Sequence, residues 1–284
     1  MRTIFFYFYG MLLFPNTKIN IGLNITEKRN DGFHNIESLL YPIGLSDILE
    51  VVEMSGSPGN SGYKFNQTGY KLDIPTEKNL CVKAYNLLSG YYDLPAVSIH
   101  LHKIVPTGSG LGGGSSDAVY ILKVLNEMFF LDIQESKMIE FSSMLGSDCP
   151  FFVKNQASFV KGRGEIISNS DLKLSGLFLT LVIPGIHIDT KFAYSIVKPK
   201  KPDKSIEEII KYPLSRWKGL LKNDFEKEIF RVSPEIGFIK QELYNMGAIY
   251  ASMTGSGSSV YGIFKKRTDF GKIFSNYDVF TQKL

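Results

Sequence analysis

The chain has 284 residues, a length that favours two domains at roughly 150 residues each. Apolar residues make up 44% and charged residues 21% of the chain, which excludes disordered, collagen-like and coiled-coil classes. Two cysteines exclude a disulfide framework or a four-cysteine zinc site and favour a reducing cytoplasm. The net charge of +4 is spread over scattered Lys and Arg residues, which favours a small anionic ligand over nucleic acid.

The N-terminal segment from Ile4 to Phe14 is apolar except for Gly10. It is shorter than the roughly 20 apolar residues that a membrane helix needs, and it has no small-residue cleavage site before Pro15. We therefore expect neither a membrane span nor a signal peptide. Met11 is an alternative initiator, and the first strand is predicted to begin near it.

Hydrophobic periodicity predicts a mixed α and β chain. Polar and apolar residues alternate over Thr17 to Asn24 and over Val97 to Leu101, which indicates two strands. A spacing of three and four residues predicts a helix from about Ser115 and another over Glu135 to Leu145. Further predictions are strands over 177–183, 248–253 and 260–264, a helix between Ser233-Pro234 and Gly247, and surface connections over 55–62 and 198–204.

The most informative segment is the glycine-rich run from Pro106 to Ala118. Five of the seven residues from Gly108 to Gly114 are glycine, and an amphipathic helix follows directly. Glycines let backbone N–H groups converge, and a helix N-terminus adds unpaired donors and a positive dipole. This arrangement predicts a phosphate-binding loop, which we call the glycine loop.

Two better-known phosphate motifs and a plain turn fit the glycine loop less well. The spacing of Gly108, Gly110 and Gly113 satisfies the dinucleotide fingerprint, but Asp132 follows a helix and not the strand that should present the ribose-binding acid. A Walker A loop needs a lysine, and the segment has none. A flexible turn does not account for five glycines next to a strong helix.

The chain resembles the GHMP kinases through five motifs in the same order. The glycine loop, Pro106-Thr-Gly-Ser-Gly-Leu-Gly-Gly-Gly-Ser-Ser-Asp-Ala118, is similar to the phosphate loop of that family. The other four are Pro15-Asn-Thr-Lys18-Ile-Asn20, Asp31-Gly-Phe-His34, Leu145-Gly-Ser-Asp148-Cys-Pro150 and Thr254-Gly-Ser-Gly-Ser-Ser259. Five ordered motifs are far more specific than any one of them.

The resemblance implies an α+β, two-domain GHMP kinase fold. The expected N-terminal domain is of βαβ type and covers 1–165, and the expected C-terminal domain is a ferredoxin-like α/β sandwich over 166–284. The boundary is expected between Phe159 and Ser175. The resemblance also implies a cytoplasmic enzyme that is a monomer or a weak homodimer and binds neither nucleic acid nor membrane.

The tripled glycine before Ser-Ser-Asp-Ala is most similar to the branch of the family that phosphorylates a cytidyl-diphosphate methylerythritol. The implied reaction uses ATP and Mg2+ to phosphorylate the 2-hydroxyl of that acceptor in non-mevalonate isoprenoid biosynthesis. Two alternatives stay open: another GHMP kinase of the homoserine or mevalonate type, and a catalytically silent nucleotide-binding paralogue. The presence of both Lys18 and Asp148 argues against the silent paralogue.

Two residues are the candidate catalytic pair. Asp148 lies in a turn after a predicted helix, where a carboxylate can accept the proton of the acceptor hydroxyl. The resemblance pairs it with Lys18, whose ammonium would lower the pKa of that hydroxyl and screen the transferred phosphoryl group. Asn20 shares the strand face of Lys18 and is a candidate ligand of the acceptor or the γ-phosphate. Each of the pair also has a local alternative: a turn hydrogen bond for Asp148 and solvent exposure for Lys18.

The ATP site is expected at the glycine loop and at two residues outside it. Asn79 matches a position near adenine and Lys103 a basic position before the loop, although both also fit a cap and a surface residue. Ser116 is the candidate Mg2+ ligand. The sequence leaves open whether Asp117 serves the helix dipole or pairs with a lysine. The loop residues expected at ATP are Pro106, Gly108, Gly110, Leu111, Gly112, Gly113, Gly114, Ser115 and Ser116.

The acceptor site is expected around His34. The resemblance places this imidazole and its aromatic neighbour on the cytosine, and here the neighbour is Phe33 where the family usually has Tyr. An imidazole can bond a base edge while a ring stacks on the base. Cys149, next to Asp148, is expected to be a small buried thiol. The remaining acceptor candidates are Thr190, Tyr194, Gly255 and Gly257.

Overall fold

A computed structural model describes residues 10–54, 62–71 and 74–284. The strands are β1 Gly10–Leu13, β2 Asn16–Lys28, β3 His34–Ser46, β4 Ile48–Glu53, β5 Tyr63–Gly69, β6 Val97–Lys103, β7 Ser158–Gly162, β8 Ile166–Asn169, β9 Phe178–Ile183, β10 Tyr250–Met253, β11 Val260–Phe264 and β12 Asp278–Lys283. The α-helices are α1 Leu80–Ser89, α2 Gly113–Met128, α3 Glu135–Leu145, α4 Cys149–Lys154, α5 Thr190–Ile196, α6 Ile206–Ile209, α7 Glu226–Val232 and α8 Pro234–Asn245.

The contacts divide the chain into two compact units built from interleaved segments. The first unit comprises 1–16, 46–105 and 113–153, and the second comprises 17–45, 106–112 and 154–284. The units therefore do not coincide with two consecutive ranges such as 1–165 and 166–284. The reason is that strands distant in the chain share sheets, as described next.

The first unit is a sheet covered by helices. Its strands lie in the order β1-β4-β6-β5, with β5 parallel to β6 and the other neighbours antiparallel. Buried and half-buried residues alternate along β6, as expected for a strand with one face on the core. Helices α1, α2 and α3 pack together over this core, and α2 contributes Ala118, Ile121, Leu122 and Leu125 to it.

The second unit contains two further sheets, in the orders β2-β3-β7-β8 and β10-β11-β9-β12. Helix α8 packs on β10 and β11, and its buried residues Ile236, Ile239 and Leu243 lie three and four positions apart. Strand β2 is buried continuously from Thr17 to Ile25. Because the burial is continuous, both faces of β2 are covered. The strand contains Lys18 and Asn20 of the first motif.

Most of the predicted elements are confirmed. Helix α3 has the predicted bounds, α2 begins two residues before Ser115, and strands β2, β6 and β11 cover their predicted positions. Strand β9 begins one residue and β10 two residues later than predicted. Ser233 precedes α8 as predicted, but its side chain makes no capping hydrogen bond. The apolar segment 4–14 and the connection 55–62 lie largely outside the described residues. In the described ranges, every helix is too short or too polar to cross a bilayer.

Candidate active site

The glycine loop adopts a tight conformation that its sequence requires. Gly108, Gly110 and Gly112 have φ angles of 67°, 77° and 72°, in the left-handed region that other residues rarely adopt. A Cβ atom on Gly110 would collide with the carbonyl oxygen of Thr254. Helix α2 begins at Gly113, so the glycine loop in the structure is 106–112, and the unpaired N–H groups of a helix N-terminus follow it directly. Such a loop and helix start can bind phosphate.

Lys18 extends from β2 to the glycine loop. Its side chain is buried, and Nζ donates to Asn20 Oδ1 at 2.7 Å and to the Gly110 carbonyl oxygen at 3.0 Å. The Lys18 N–H also donates to the Leu111 carbonyl oxygen at 3.0 Å. Solvent exposure, the local alternative for this lysine, is therefore wrong. The Lys18 ammonium is held against the backbone of the glycine loop.

A second glycine turn, 254–259, is bonded to the same loop. The Thr254 hydroxyl donates to the Gly110 carbonyl oxygen at 3.1 Å and accepts from the Asn20 N–H at 3.0 Å. The Ser259 N–H donates to the Ser109 carbonyl oxygen at 3.2 Å. A Cβ atom on Gly255 would lie 3.0 Å from the backbone of Gly110, so Gly255, an expected acceptor residue, closely approaches the glycine loop.

Asn20 and Gly257, two further residues predicted at the acceptor, have close neighbours within the second unit. Asn20 is buried, and its Nδ2 donates to Ser38 Oγ at 2.8 Å. Gly257 has a φ of 98°, and a Cβ atom there would lie 2.9 Å from the sulfur of Met253. Ser259 Oγ is buried and has no hydrogen-bond partner within the described ranges.

Two of the residues predicted at the acceptor stack on each other. The rings of His34 and Tyr194 have centroids 4.9 Å apart and planes inclined by 24°. Burial, with a contribution from Lys28, lowers the pKa of His34 below its usual 6.5. The imidazole is therefore neutral at physiological pH and can both donate and accept a hydrogen bond. Thr190 Oγ1 lies 3.3 Å from Ser256 Oγ, next to the second glycine turn.

Phe33, beside His34, is 51% exposed and carries a cation on its ring. The guanidinium carbon of Arg163 lies 3.9 Å from the ring centroid, within the range of cation–π attraction. The Asp31 carboxylate accepts the Phe33 N–H at 3.1 Å, and this bond is the main cause that lowers the pKa of Asp31. Sequence reasoning missed Arg163, because nothing in its local pattern connects the β7–β8 turn to the hairpin that bears Phe33.

In the first unit, Asp148 stands next to the start of α4. It precedes Cys149, the first residue of that helix, and the Cys149 thiol is buried and hydrogen-bonded to Ser115 in the first turn of α2. Burial raises the pKa of Cys149 to about 12, so this cysteine is an inert thiol, as predicted. Asp148 therefore directly precedes a residue that contacts α2, the helix that follows the glycine loop.

Lys103, predicted at ATP, is the centre of a buried ion cluster. Its ammonium forms ion pairs with Asp47 and with Asp117, the latter at 2.8 Å. Burial lowers the pKa of Lys103, but the two carboxylates outweigh it and raise the pKa above its usual value. The open question about Asp117 is resolved: it pairs with a lysine. Asp47 was missed, because no motif includes it.

The other predicted ligands in this unit have defined surroundings. Asn79 caps α1, its Oδ1 accepting the Cys81 N–H at 2.9 Å. Ser116 Oγ is buried and has no hydrogen-bond partner in the part of the chain that the structure describes. Within the same ranges, no cluster of three His, Cys, Asp or Glu residues could hold a metal.

Lys18 belongs to the second unit and Asp148 to the first, and their pairing stays a prediction.

Comparisons with known proteins identify relatives along nearly the whole chain. The model of the GHMP kinase N-terminal domain matches residues 79–156, and that of the GHMP kinase C-terminal domain matches 205–278. A 4-diphosphocytidyl-2-C-methyl-D-erythritol kinase from Bacteroides fragilis is 49% identical over 93% of this chain and 95% of its own length.

Two solved structures have the same fold. A crystal structure of 4-(cytidine 5'-diphospho)-2C-methyl-D-erythritol kinase is 26% identical, with a TM-score of 0.75, and covers 95% of this chain and 98% of that one. A homoserine kinase from Cytophaga hutchinsonii is 14% identical with a TM-score of 0.62, and the match covers 99% and 98% of the two chains. The second likeness concerns the fold alone.

Proposed function

Because the chain belongs to the 4-diphosphocytidyl-2-C-methyl-D-erythritol kinases of the GHMP kinase family, we propose that it transfers the γ-phosphoryl group of ATP to the 2-hydroxyl of that cytidyl-diphosphate acceptor. The reaction is a step of non-mevalonate isoprenoid biosynthesis. The two-domain α+β fold expected from the motifs is that of the family. The observation that carries the mechanism is the Lys18 ammonium bonded to the carbonyl oxygen of Gly110 in the glycine loop.

The glycine loop and the first turn of α2 would bind the ATP phosphates. The left-handed glycines leave the backbone N–H groups of 108–116 free of Cβ obstruction, and the helix dipole favours negative charge. Phosphoryl transfer depends mainly on positioning and charge stabilisation, and this loop supplies both. Asn79, at the start of α1, would contribute at the adenine.

Lys18 and Asp148 would act on the reacting groups. The bonds from Lys18 Nζ to Asn20 and Gly110 orient the ammonium, which would stabilise charge on the transferred phosphoryl group. Asp148 would accept the proton of the acceptor hydroxyl. Asn20 would assist by orienting Lys18, since its Oδ1 accepts the shorter of the two bonds.

The residues present fit a magnesium ion that arrives with ATP. Ser116 Oγ is a buried hydroxyl oxygen without a protein partner among the described residues, and Mg2+ prefers oxygen ligands. Ser116 would hold the ion, and the ion would neutralise charge on the ATP phosphates. The other ligands would come from ATP itself and from water.

The acceptor would bind through Phe33, His34 and Tyr194. A neutral His34 can bond the cytosine edge, and the aromatic rings offer faces for stacking. Phe33 keeps the stacking face of the usual tyrosine and lacks its hydroxyl. Thr190, Gly255 and Gly257 would line the rest of the acceptor site. We expect the protein to act in the cytoplasm as a monomer or a weak homodimer.

The test is a panel of alcohols with ATP and Mg2+, read by ADP release and by phosphorus NMR of the product. We expect turnover only with the cytidyl-diphosphate acceptor and a new phosphate monoester on its 2-oxygen. Better turnover of homoserine or mevalonate would overturn the acceptor assignment. ATP binding without turnover of any alcohol would support the silent paralogue.

The base assignment predicts a separable effect of Asp148→Asn. The amide keeps the size of the side chain but cannot accept the proton, so we expect kcat to fall by about 10² to 10⁴. Affinity for a non-hydrolysable ATP analogue should stay within about threefold, since Asp148 is not a proposed phosphate ligand. Asp171→Asn, in the second unit, is the control and should keep full activity. Unchanged kcat in Asp148→Asn would contradict the assignment.

A further inference from the structure

The buried cluster of Asp47, Lys103 and Asp117 has no part in the proposed chemistry. The side chains are 0%, 1% and 3% exposed, so all three charges lie inside the first unit. Lys103 lies at the end of β6, Asp117 is in α2, and Asp47 lies between β3 and β4. Burying three charges is costly unless each is paired, so this arrangement calls for a structural reason.

Asp47 holds the chain that enters the glycine loop. Its Oδ1 accepts the Ile104 N–H at 2.6 Å and the Val105 N–H at 2.9 Å, and its Oδ2 accepts from Lys103. Residues 103–105 are the last before Pro106, where the glycine loop begins. Both carboxylate oxygens of Asp47 are thus used on consecutive residues of this one segment.

The chain that leaves the glycine loop passes over the same carboxylate. A Cβ atom on Gly113 would lie 3.4 Å from Asp47 Oδ2 and 3.2 Å from the Val105 side chain. One turn further along α2, Asp117 Oδ2 accepts from Lys103 Nζ at 2.8 Å. The segments before and after the loop are therefore fastened to each other through Asp47 and Lys103.

We propose that Asp47 is a positioning residue for ATP: it fixes the two ends of the glycine loop so that the loop N–H groups stay directed at the phosphates. Asp47 does not itself contact the nucleotide and acts through Lys103, Ile104 and Val105. The inference rests on the proposed function only in that the loop binds ATP. It gives Lys103 a role inside the fold in place of the ligand role expected from the sequence.

The charge balance of the cluster explains why the test replaces Asp47. The cluster has two carboxylates and one ammonium, and Asp117 Oδ1 has no hydrogen-bond partner among the described residues. Replacing Asp47 by Asn leaves Lys103 a one-to-one ion pair with Asp117, and the amide NH2 then takes the place of the oxygen that accepts from Lys103. An amide also keeps one oxygen for the N–H groups of Ile104 and Val105.

The test compares Asp47→Ala and Asp47→Asn by calorimetric binding of a non-hydrolysable ATP analogue and by steady-state kinetics. We expect Asp47→Ala to weaken analogue binding at least about tenfold, the equivalent of one lost buried bond to a charged group. Asp47→Asn should recover part of this loss. The KM for ATP should be lowest in the wild type, intermediate in Asp47→Asn and highest in Asp47→Ala. The kcat at saturating ATP and the KM of the acceptor should change little.

Leu49→Ala is the matched control, because Leu49 is fully buried in the same unit and its side chain has no hydrogen-bonding group. We expect it to lower stability and to leave ATP affinity unchanged, which separates positioning from general destabilisation. Equal losses of affinity in Asp47→Ala and Leu49→Ala, or wild-type affinity in Asp47→Ala, would overturn the inference. If Asp47→Ala does not fold, wild-type affinity in Asp47→Asn overturns it.

The same binding experiment distinguishes this inference from the proposed function. A wild-type protein that binds no ATP analogue removes both. A wild-type protein that binds the analogue but does not phosphorylate the cytidyl-diphosphate acceptor removes the acceptor assignment. The order of the analogue affinities of the wild type, Asp47→Asn and Asp47→Ala then still decides the role of Asp47.

Discussion

The orientation of single side chains in the second unit depends on buried hydrogen bonds to the glycine loop. Gly110 offers one carbonyl oxygen, and both Lys18 and Thr254 donate to it, at 3.0 and 3.1 Å. Each donor is also bonded to Asn20, so a change at any member reaches the others. An ammonium fixed in this way loses little entropy when it aligns with a phosphoryl group, which is how pre-organisation accelerates transfer.

As a proposed acceptor ligand, His34 should make the acceptor affinity dependent on pH. Because burial lowers its pKa below 6.5, the imidazole is neutral above that pH and gains a proton only in more acidic solution. Protonation removes its acceptor nitrogen, so we expect the KM of the cytidyl-diphosphate acceptor to be constant at alkaline pH and to rise by about fivefold on acidification through the pKa of His34.

The measurement is the acceptor KM as a function of pH in wild type and in His34→Gln, which cannot titrate. The variant should have a raised KM that does not change further on acidification. The KM of ATP serves as the internal control, since His34 is not a proposed ATP ligand. The same acid-dependent rise in His34→Gln would exclude His34 as its source.

At the level of residues, the sequence identified side chains that belong to motifs and missed those that act through distant partners. Strand alternation left solvent exposure open for Lys18, because it cannot reveal that the glycine loop lies against this side chain. Asp47 is separated by 56 residues from Lys103, its ion-pair partner. No local pattern carries that information, and the contact is visible only after folding.

The glycine loop shows what an element requires of one residue. Gly110 has a left-handed φ of 77°, and any Cβ atom there would collide with Thr254. We expect Gly110→Ala to lower the free energy of unfolding by about 2 to 4 kcal/mol through strain and displacement of the 254–259 turn. ATP affinity should fall at least about tenfold, since the loop N–H groups would move.

Gly176→Ala is the control for this substitution. Gly176 has a similar φ of 85° but open space where a Cβ would be, so only backbone strain of about 1 kcal/mol is expected there. Urea denaturation gives the two stabilities, and calorimetry gives the ATP affinity. Equal effects of the two substitutions on both quantities would show that the contact with Thr254 is unimportant.

Elements with a strong period were predictable and their pairing was not. The 3.6-residue spacing located α3 at its observed bounds and α2 within two residues. Alternation located β2 and β6, but it could not show that β5 pairs parallel with β6 while β4 pairs antiparallel on the other side. Strand order follows from long-range packing, which a local period does not encode.

For the whole molecule, the interleaving of segments sets how much of the chain must be present to fold. Strand β2 of the second unit is bonded to a segment about 200 residues later in the chain. The Leu23 N–H donates to the Lys222 carbonyl oxygen, and the Asp224 N–H donates to that of Leu23, both at 2.8 Å. A further bond joins the Ile25 N–H to Asp224 Oδ2 at 2.8 Å. The second unit therefore depends on contacts that span about 200 residues of chain.

This dependence predicts the behaviour of a fragment comprising residues 1–165. The fragment would lack β8 and the segment that bonds β2, and the buried residues Leu23 and Ile25 would lose the apolar cluster that they form with residues of 182–274. Exposed apolar surface and unpaired backbone groups both disfavour such a state. The first unit lies wholly within 1–165, so we expect the fragment to keep a urea transition from that unit, while β2, β3 and β7 stay unfolded. Circular dichroism should show more β-sheet signal in an equimolar mixture with the 166–284 fragment than in the sum of the two separate fragments. Protection of the β2 backbone N–H groups from hydrogen exchange in 1–165 alone would instead mean that the bonds from β2 to Lys222 and Asp224 are dispensable for folding.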